Sequence, residues 1–297
     1  MGYVERYAEI CQLKNRPFVI VEGQLFALND HWISPIGPAD QRYHLSKEQC
    51  RGLLQKVSGL LIVWTDGFGH ANLNPDWYAL ICRQHNPIEQ VRDRKRRQEF
   101  HRALSACEVC KVDAEVIASQ GYETYCEALR SYRNFQATDV SKEEFERRVR
   151  SDGPFGDCLH QWAAFSGNKL IAFAQNLVYD NLCVDYALMR LHPNYLRDYP
   201  GYALFYKMNE YYLAQMCFQY ANAGFRNIYH DTDIQTFLIR KFGFEKVGTG
   251  LHVHFRTPFG QLVRIAYPLR RQIAQFYPRA RPIFELARLA STVNIYQ

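Results

Sequence analysis

Two short stretches hold side chains suited to chemistry. In RDYPGYA (197–203), Arg197 stands four residues before Gly201, with Pro200 directly ahead of the glycine. The stretch reads as a strand-to-helix turn. A helix starting there presents backbone N–H groups and the positive end of its dipole, and glycine lets phosphate oxygens approach the chain. Pro200 sets the turn and gives up a donor that would be spare, while Arg197 adds a charge-assisted partner. Anion binding is the chemistry this turn predicts. The second stretch is Tyr229-His230-Asp231, expected at the carboxyl end of a strand, where open α/β sheets place ligands. An imidazole that titrates near neutral pH suits His230 to accept a proton from an amine. Adjacent strand residues face opposite ways, so Asp231 is a second candidate base and not an obvious support for His230.

Other groups read as structural. Cys107 and Cys110 form C-x-x-C on an expected strand with no second pair, which favours buried thiols over zinc or redox chemistry. His252 and His254 share a strand face without a third ligand nearby. The run RDRKRR (92–97) could bind phosphate, RNA or a membrane, but such a run is more often a solvated helix face. It lacks the interleaved aromatics of a single-stranded RNA platform.

The elements that must carry these residues follow from periodicity and capping signals. The pattern predicts strands over Phe18–Leu25 and Leu60–Trp64, and a helix over Ser46–Val57 opened by a Ser46/Gln49 capping box. A charged helix is expected over Ile88–Ala106. Then come a strand (Glu108–Val112), helices over Ala114–Tyr132 and Ser141–Val149, and three strands, Leu159–Phe165, Leu170–Tyr179 and Leu182–Leu191, joined by hairpin-type linkers at 166–169 and 180–181. A helix over Gly201–Ala223, stopped by Gly224, precedes a strand (Phe225–Tyr229), a helix (Ile234–Phe242) and a last strand (Phe244–Phe255). From Cys107 the order is β-α-α-β-β-β-α-β-α-β.

Composition bounds the rest. With 297 residues, 47% hydrophobic and 22% charged, the chain is an ordinary globular protein. Its longest apolar runs, such as Gly59–Trp64, are far too short to span a bilayer, and the charged N-terminus shows no export signal. Nine scattered cysteines, an odd number, read as reduced thiols in a cytoplasmic protein. The net charge of +6 resides in residues 251–297, where seven arginines face one acid, Glu285. Helical spacing after Pro268 and Pro282 would turn Ile273, Phe276, Ile283, Leu286 and Leu289 inward. Arg270, Arg271, Arg279, Arg281 and Arg288 would then face solvent or an acidic partner.

The element order from Cys107 to about Arg256, with FLIRKFGFEKVG (237–248) and the turn at 197–203, resembles the GNAT acyltransferase fold. The basic helix followed by a strand and a Gly-Tyr helix (92–130) is similar to the tandem-GNAT branch, which includes Fem-type peptidyltransferases. The resemblance implies an α/β protein with a GNAT-type mixed sheet. A degenerate N-terminal GNAT-like lobe (1–106) would precede an acyltransferase domain (107–260) and a basic helical extension (261–297).

What the resemblance implies for function is N-acyl transfer from a thioester to an amine of a small molecule or peptide. Acyl-CoA, or phosphopantetheine on an acyl carrier protein, would serve as donor, with no tightly bound cofactor and no metal. The turn at Arg197, Tyr199, Gly201, Tyr202 and Ala203 would hold the pyrophosphate, and backbone N–H groups of Leu188, Met189 and Arg190 would face the thioester. His230, Asp185, Asp231 and Tyr186 are the candidate catalytic groups. Asp185 is expected on one strand face with Cys183 and Ala187, and Tyr186 on the other with Leu188 and Arg190. Two departures stand out: the loop is one residue longer than the family spacing, and the position of the usual thiolate acid is Ile239. The asparagine common in the family corresponds to Thr232. The basic tail could dock an acyl carrier protein. A second reading is a Fem-like transferase drawing on aminoacyl-tRNA, and a third is a non-catalytic degenerate GNAT binding protein.

Overall fold

The computed structural model describes residues 2–69, 76–131, 140–228 and 233–291. Helix α1 (Tyr3–Leu13) leads into a meander of β1 (Phe18–Val21), β2 (Gln24–Asn29) and β3 (Trp32–Ile36). The single strand expected over Phe18–Leu25 is therefore a hairpin. Val21 pairs with Gln24, and the two residues between them, Glu22 and Gly23, both have positive φ, the backbone of a type I′ turn. Helix α2 (Lys47–Val57) starts as the sequence predicts: Ser46 and Gln49 exchange both hydrogen bonds of the capping box. Strand β4 (Leu61–Phe68) follows, and then β5 (Tyr78–Cys82).

The helix expected over Ile88–Ala106 begins later, as α3 (Arg94–Ala106), because the Asp93 carboxylate accepts from the Arg96 N–H at 2.7 Å and caps it there. Strand β6 (Glu108–Val112) matches its expected bounds. The helical stretch beyond it divides at Gly121 into α4 (Ala114–Gln120) and α5 (Tyr122–Arg130); only glycine fits this junction, where a Cβ would lie 2.6 Å from the Ile117 carbonyl oxygen. Helix α6 (Lys142–Arg150) and the antiparallel strands β7 (Leu159–Ser166), β8 (Lys169–Tyr179) and β9 (Cys183–Leu191) follow as read.

The largest departure comes next. The expected helix over Gly201–Ala223 is α7 (Pro200–Asn209), which widens into a π-helical turn at Glu210–Gln215 and stops. Tyr220–Phe225 is strand β10, and Gly224, expected as a helix stop, lies within it at φ 89°. The strand expected over Phe225–Tyr229 thus sits five residues earlier. Helix α8 (Ile234–Phe242), strand β11 (Glu245–Phe255) and helices α9 (Phe259–Ala266), α10 (Arg270–Phe276) and α11 (Arg281–Ser291) complete the chain.

These elements form two compact units that interleave along the sequence. One comprises Met1–Leu80, Gly224–Asp233 and Lys246–Gln297; the other comprises Ile81–Ala223 and Ile234–Glu245. The first has the strand order β1-β2-β3-β4-β11, with β3 and β4 parallel and the other pairs antiparallel. Strand β4 feeds two cores by alternation: Ile62 and Trp64 join Leu53, Leu54 and Val57 of α2, while Leu61 packs with Leu251, Leu286 and Leu289. The second unit has the order β10-β9-β8-β7-β6, with β10 and β9 parallel. On one face of that sheet, Ala163 and Phe173 pack with Ile117 and Phe145 of α4 and α6. No helix among the described residues is long and apolar enough to cross a membrane.

Candidate active site

Strand β9 is irregular where the chemistry was expected. In its pairing with β8, Asn176 faces Tyr186 and Gln175 faces Leu188, so Ala187 is an extra residue, a β-bulge. A bulge resets the alternation of side chains. Tyr186 and Leu188, expected on one face, consequently lie on opposite faces. Leu188 packs with the Ile117–Phe145 cluster, whereas the Tyr186 hydroxyl donates to Asn209 Oδ1 on α7 at 2.7 Å. On its other side β9 pairs with β10 only from Cys183 to Asp185. Past Asp185 the remainder of β9, with Leu188, Met189 and Arg190, runs on without β10 as a ladder partner. A bulge beside an interrupted ladder leaves backbone groups available to an extended ligand.

Asp185 stands where the ladder ends. Its carboxylate accepts hydrogen bonds from Asn222 Nδ2 at 2.9 Å and from the Tyr179 hydroxyl at 3.2 Å. Both donors orient the carboxylate. Tyr186 is enclosed by the rings of Phe205, Tyr212 and Phe244, and burial holds its phenol well above its usual pKa. It carries its proton at neutral pH. His230 and Asp231, like Thr232, lie outside the described residues.

The loop after β9 (192–199) holds a short helical turn of its own. His192 Nδ1 accepts from the Asn194 N–H at 3.3 Å and caps a 3₁₀ turn over Pro193–Asp198. Tyr199 then takes a left-handed conformation (φ 56°) and Pro200 opens α7. The Tyr199 carbonyl accepts from both Tyr202 N–H (2.9 Å) and Ala203 N–H (3.2 Å). Those two N–H groups are spent within the helix start, and Gly201 N–H and the exposed Arg197 are the groups best placed for an anion. The Cys107 thiol donates to the Asp198 carbonyl at 3.4 Å, which ties the loop to the start of β6.

Helix α3 flanks this loop, with the Arg102 guanidinium 5.4 Å from the centre of the Tyr199 ring. Its basic run divides between roles. Arg96 donates to the Lys241 carbonyl at the end of α8, while Arg92, Arg94 and Lys95 are exposed. Lys241 Nζ in turn donates to Glu99 at 2.5 Å, and the Tyr202 hydroxyl donates to the same oxygen at 3.1 Å. Burial raises the Tyr202 pKa. For Lys241 burial works against the charge, but the hydrogen bonds with Glu99 and Tyr202 outweigh it and raise the pKa. Sequence reasoning missed Glu99 and Lys241. Ile239, at the position to which the resemblance assigns the thiolate acid, is half-buried on α8 and has no proton to give.

No protein-family model and no curated protein matches the chain in sequence. Solved structures do match in fold. The C-terminal domain (DUF2156) of a protein described as a lysylphosphatidylglycerol synthetase, from Agrobacterium fabrum, aligns over 92% of this chain and 96% of its own, with a TM-score of 0.51 at 11% identity. FemX aligns over 86% of this chain and 92% of its own, with a TM-score of 0.51 at 12% identity. A conserved protein of unknown function from Bacteroides thetaiotaomicron aligns over 86% of this chain and 90% of its own, with a TM-score of 0.52 at 11% identity. The chain thus shares a mixed α/β fold with FemX and with these two other structures.

Proposed function

We propose that this chain is an N-acyltransferase that moves an acyl group from a thioester, in the simplest case acyl-CoA, to an amine. The observation that carries this reading is the bulge at Ala187 beside the ladder that stops at Asp185–Asn222, directly ahead of the loop that opens α7. In this reading the donor's pyrophosphate meets Gly201 N–H and Arg197, and its thioester arm runs along Tyr186–Leu191. N–H groups among Leu188, Met189 and Arg190 then donate to the carbonyl oxygen as it gains charge. The neutral amine attacks the carbonyl carbon, the C–S bond breaks, and the thiolate leaves with a proton. Asp185, held by Asn222 and Tyr179, is placed to accept the amine proton. Tyr202, whose pKa is raised, supplies one to sulfur. Calorimetric titration with CoA, followed by thiol release from acetyl-CoA with a panel of amines, tests the reading. Absence of CoA binding by folded protein would overturn it.

A second reading has support of its own. Exposed Arg94 and Lys95 lie on α3 with Arg102, which stacks over the loop residue Tyr199. A basic helix beside the donor loop suits a long polyanion, the aminoacyl-tRNA that the resemblance to Fem-type enzymes implies. Salt dependence separates the two. A tRNA held through several phosphates loses affinity steeply between 50 and 200 mM salt, while a single pyrophosphate responds mildly.

A further inference from the structure

The C-terminal helices leave an unusual surface. Helix α9 turns Val263 into the core and leaves Leu262 (60% exposed) and Ile265 (76%) out, and Leu269 (57%) is exposed in the 3₁₀ turn that follows. Phe276 (77%) and Tyr277 (71%) are also exposed, at the end of α10. Phe276, expected to pack inward, therefore faces out. Soluble proteins seldom leave so many large apolar side chains uncovered within one short segment.

The charge on the same segment has one sign. From Arg256 to Arg281 the sequence contains no acid, and Arg256, Arg264, Arg271 and Arg281 are exposed. Arg270 Nη1 donates to the Tyr267 carbonyl at 3.1 Å, with its guanidinium 4.4 Å from the Tyr267 ring centre. Glu285 accepts from Arg226 and Arg288, and Arg288 also reaches Asp76 at 3.3 Å. Arg288 is thus taken up within the unit, and among the described residues Arg256, Arg264, Arg271 and Arg281 present their charge at the surface.

We propose that residues 262–277 seat this protein on the surface of a bilayer containing anionic lipid. Arginines interleaved with large apolar side chains along short helices match a helix lying in the lipid interface. There Leu262, Ile265, Leu269 and Phe276 enter the acyl boundary, while arginine stems extend their guanidinium groups to lipid phosphates. Tyr267 and Tyr277 suit the headgroup level. A second copy of the chain is a poorer occupant, because a two-fold contact would set arginine against arginine. An acidic carrier protein would satisfy the charge, but it does not account for the protruding Leu262, Ile265 and Leu269.

The test is flotation of the full chain with vesicles of phosphatidylcholine alone and of phosphatidylcholine with an equal part of phosphatidylglycerol. The expected result is binding to the anionic vesicles at least about tenfold stronger than to the neutral ones. The paired substitution Leu262→Asn and Ile265→Asn, at exposed positions that leave the core intact, should reduce that binding at least about tenfold, with thermal unfolding unchanged. Arg270→Glu with Arg271→Glu should do the same. Any of three results would overturn the proposal: no anionic preference, anionic binding that survives the Leu262 and Ile265 changes, or a stable dimer in sedimentation that those changes dissolve. A failure to bind vesicles alongside tight binding to an acyl carrier protein would assign the surface to the carrier instead.

Discussion

The hydroxyl of Tyr212, in the π-helical turn, lies 2.9 Å from Nδ1 of His160 on β7. The same oxygen accepts from Trp162 Nε1 at 3.0 Å and from Asn176 Nδ2 at 3.3 Å. With two donors already pointing at it, the phenol must give its own proton to the imidazole. His160 is therefore neutral, with its hydrogen on Nε2. Burial agrees with that assignment, lowering the His160 pKa to about 4. A π-turn adds a residue to the helix and re-aims the side chains beyond it, here bringing Tyr212 to a point that three side chains on two strands share.

The first prediction concerns pH. The folded-state pKa of His160 lies below the unfolded value of 6.5, so the unfolded chain takes up the extra proton as pH falls. The contribution of His160 is complete above about pH 6.5 and is lost on acidification toward pH 4, reaching about 2 kcal/mol by pH 5. Urea unfolding at pH 7 and pH 5 should show this difference, and His160→Gln should flatten it. An unchanged slope in the variant would mean that other groups set the acid sensitivity.

Tyr212→Phe removes the shared oxygen and leaves His160, Trp162 and Asn176 without their common partner. Each uncompensated buried polar group costs about 1–3 kcal/mol, so a loss of roughly 3 kcal/mol or more is expected in chemical denaturation. A loss under about 1 kcal/mol would show that the network is not under tension to stay paired.

Asp185→Asn preserves shape and the contact with Tyr179 while removing the charge. Within the proposed acyl transfer it should lower kcat about 100-fold or more and abolish the acidic limb of the pH–rate profile. His230→Ala, measured alongside, discriminates between the candidate bases: whichever variant loses the acidic limb identifies the group that takes the proton.

Gly201 offers a test of the donor loop. A Cβ there would meet only Leu191 Cδ1, at 3.3 Å, a flexible neighbour that can yield. Gly201→Val should thus keep the fold while crowding the helix start, raising the CoA dissociation constant at least about tenfold. Unchanged affinity in a folded variant would remove this loop from the donor site.

Much of the fold was legible because the signals were local. The Ser46/Gln49 box, the strand at Glu108–Val112 and the helix at Ile234–Phe242 each announce themselves within a dozen residues. Strand β10 did not. Its small residues Ala221, Asn222, Ala223 and Gly224 follow an aromatic helix without a break signal, and it is pairing with β9 that makes them a strand. The bulge at Ala187 was invisible for a related reason: an extra residue shows only against its partner strand, and one unseen residue moved Leu188 to the other face. Glu99 and Lys241 escaped notice because they meet Tyr202 across 103 and 39 positions of chain, a distance no local pattern spans.

The pairing of β4 with β11 has a consequence for how the chain is made. Strand β4 ends at Phe68, and its partner residues run from Thr249 to Phe255. At ~5–20 residues per second, a ribosome needs roughly 10 to 40 s to deliver the second strand after the first. The intervening unit can fold in that time, since it needs no residue beyond Glu245. The nascent β4, meanwhile, carries Leu61, Ile62, Val63 and Trp64 with one long edge unpaired, an invitation to mispairing that a chaperone would have to shield. The first unit thus cannot complete its sheet until Phe255 has been made.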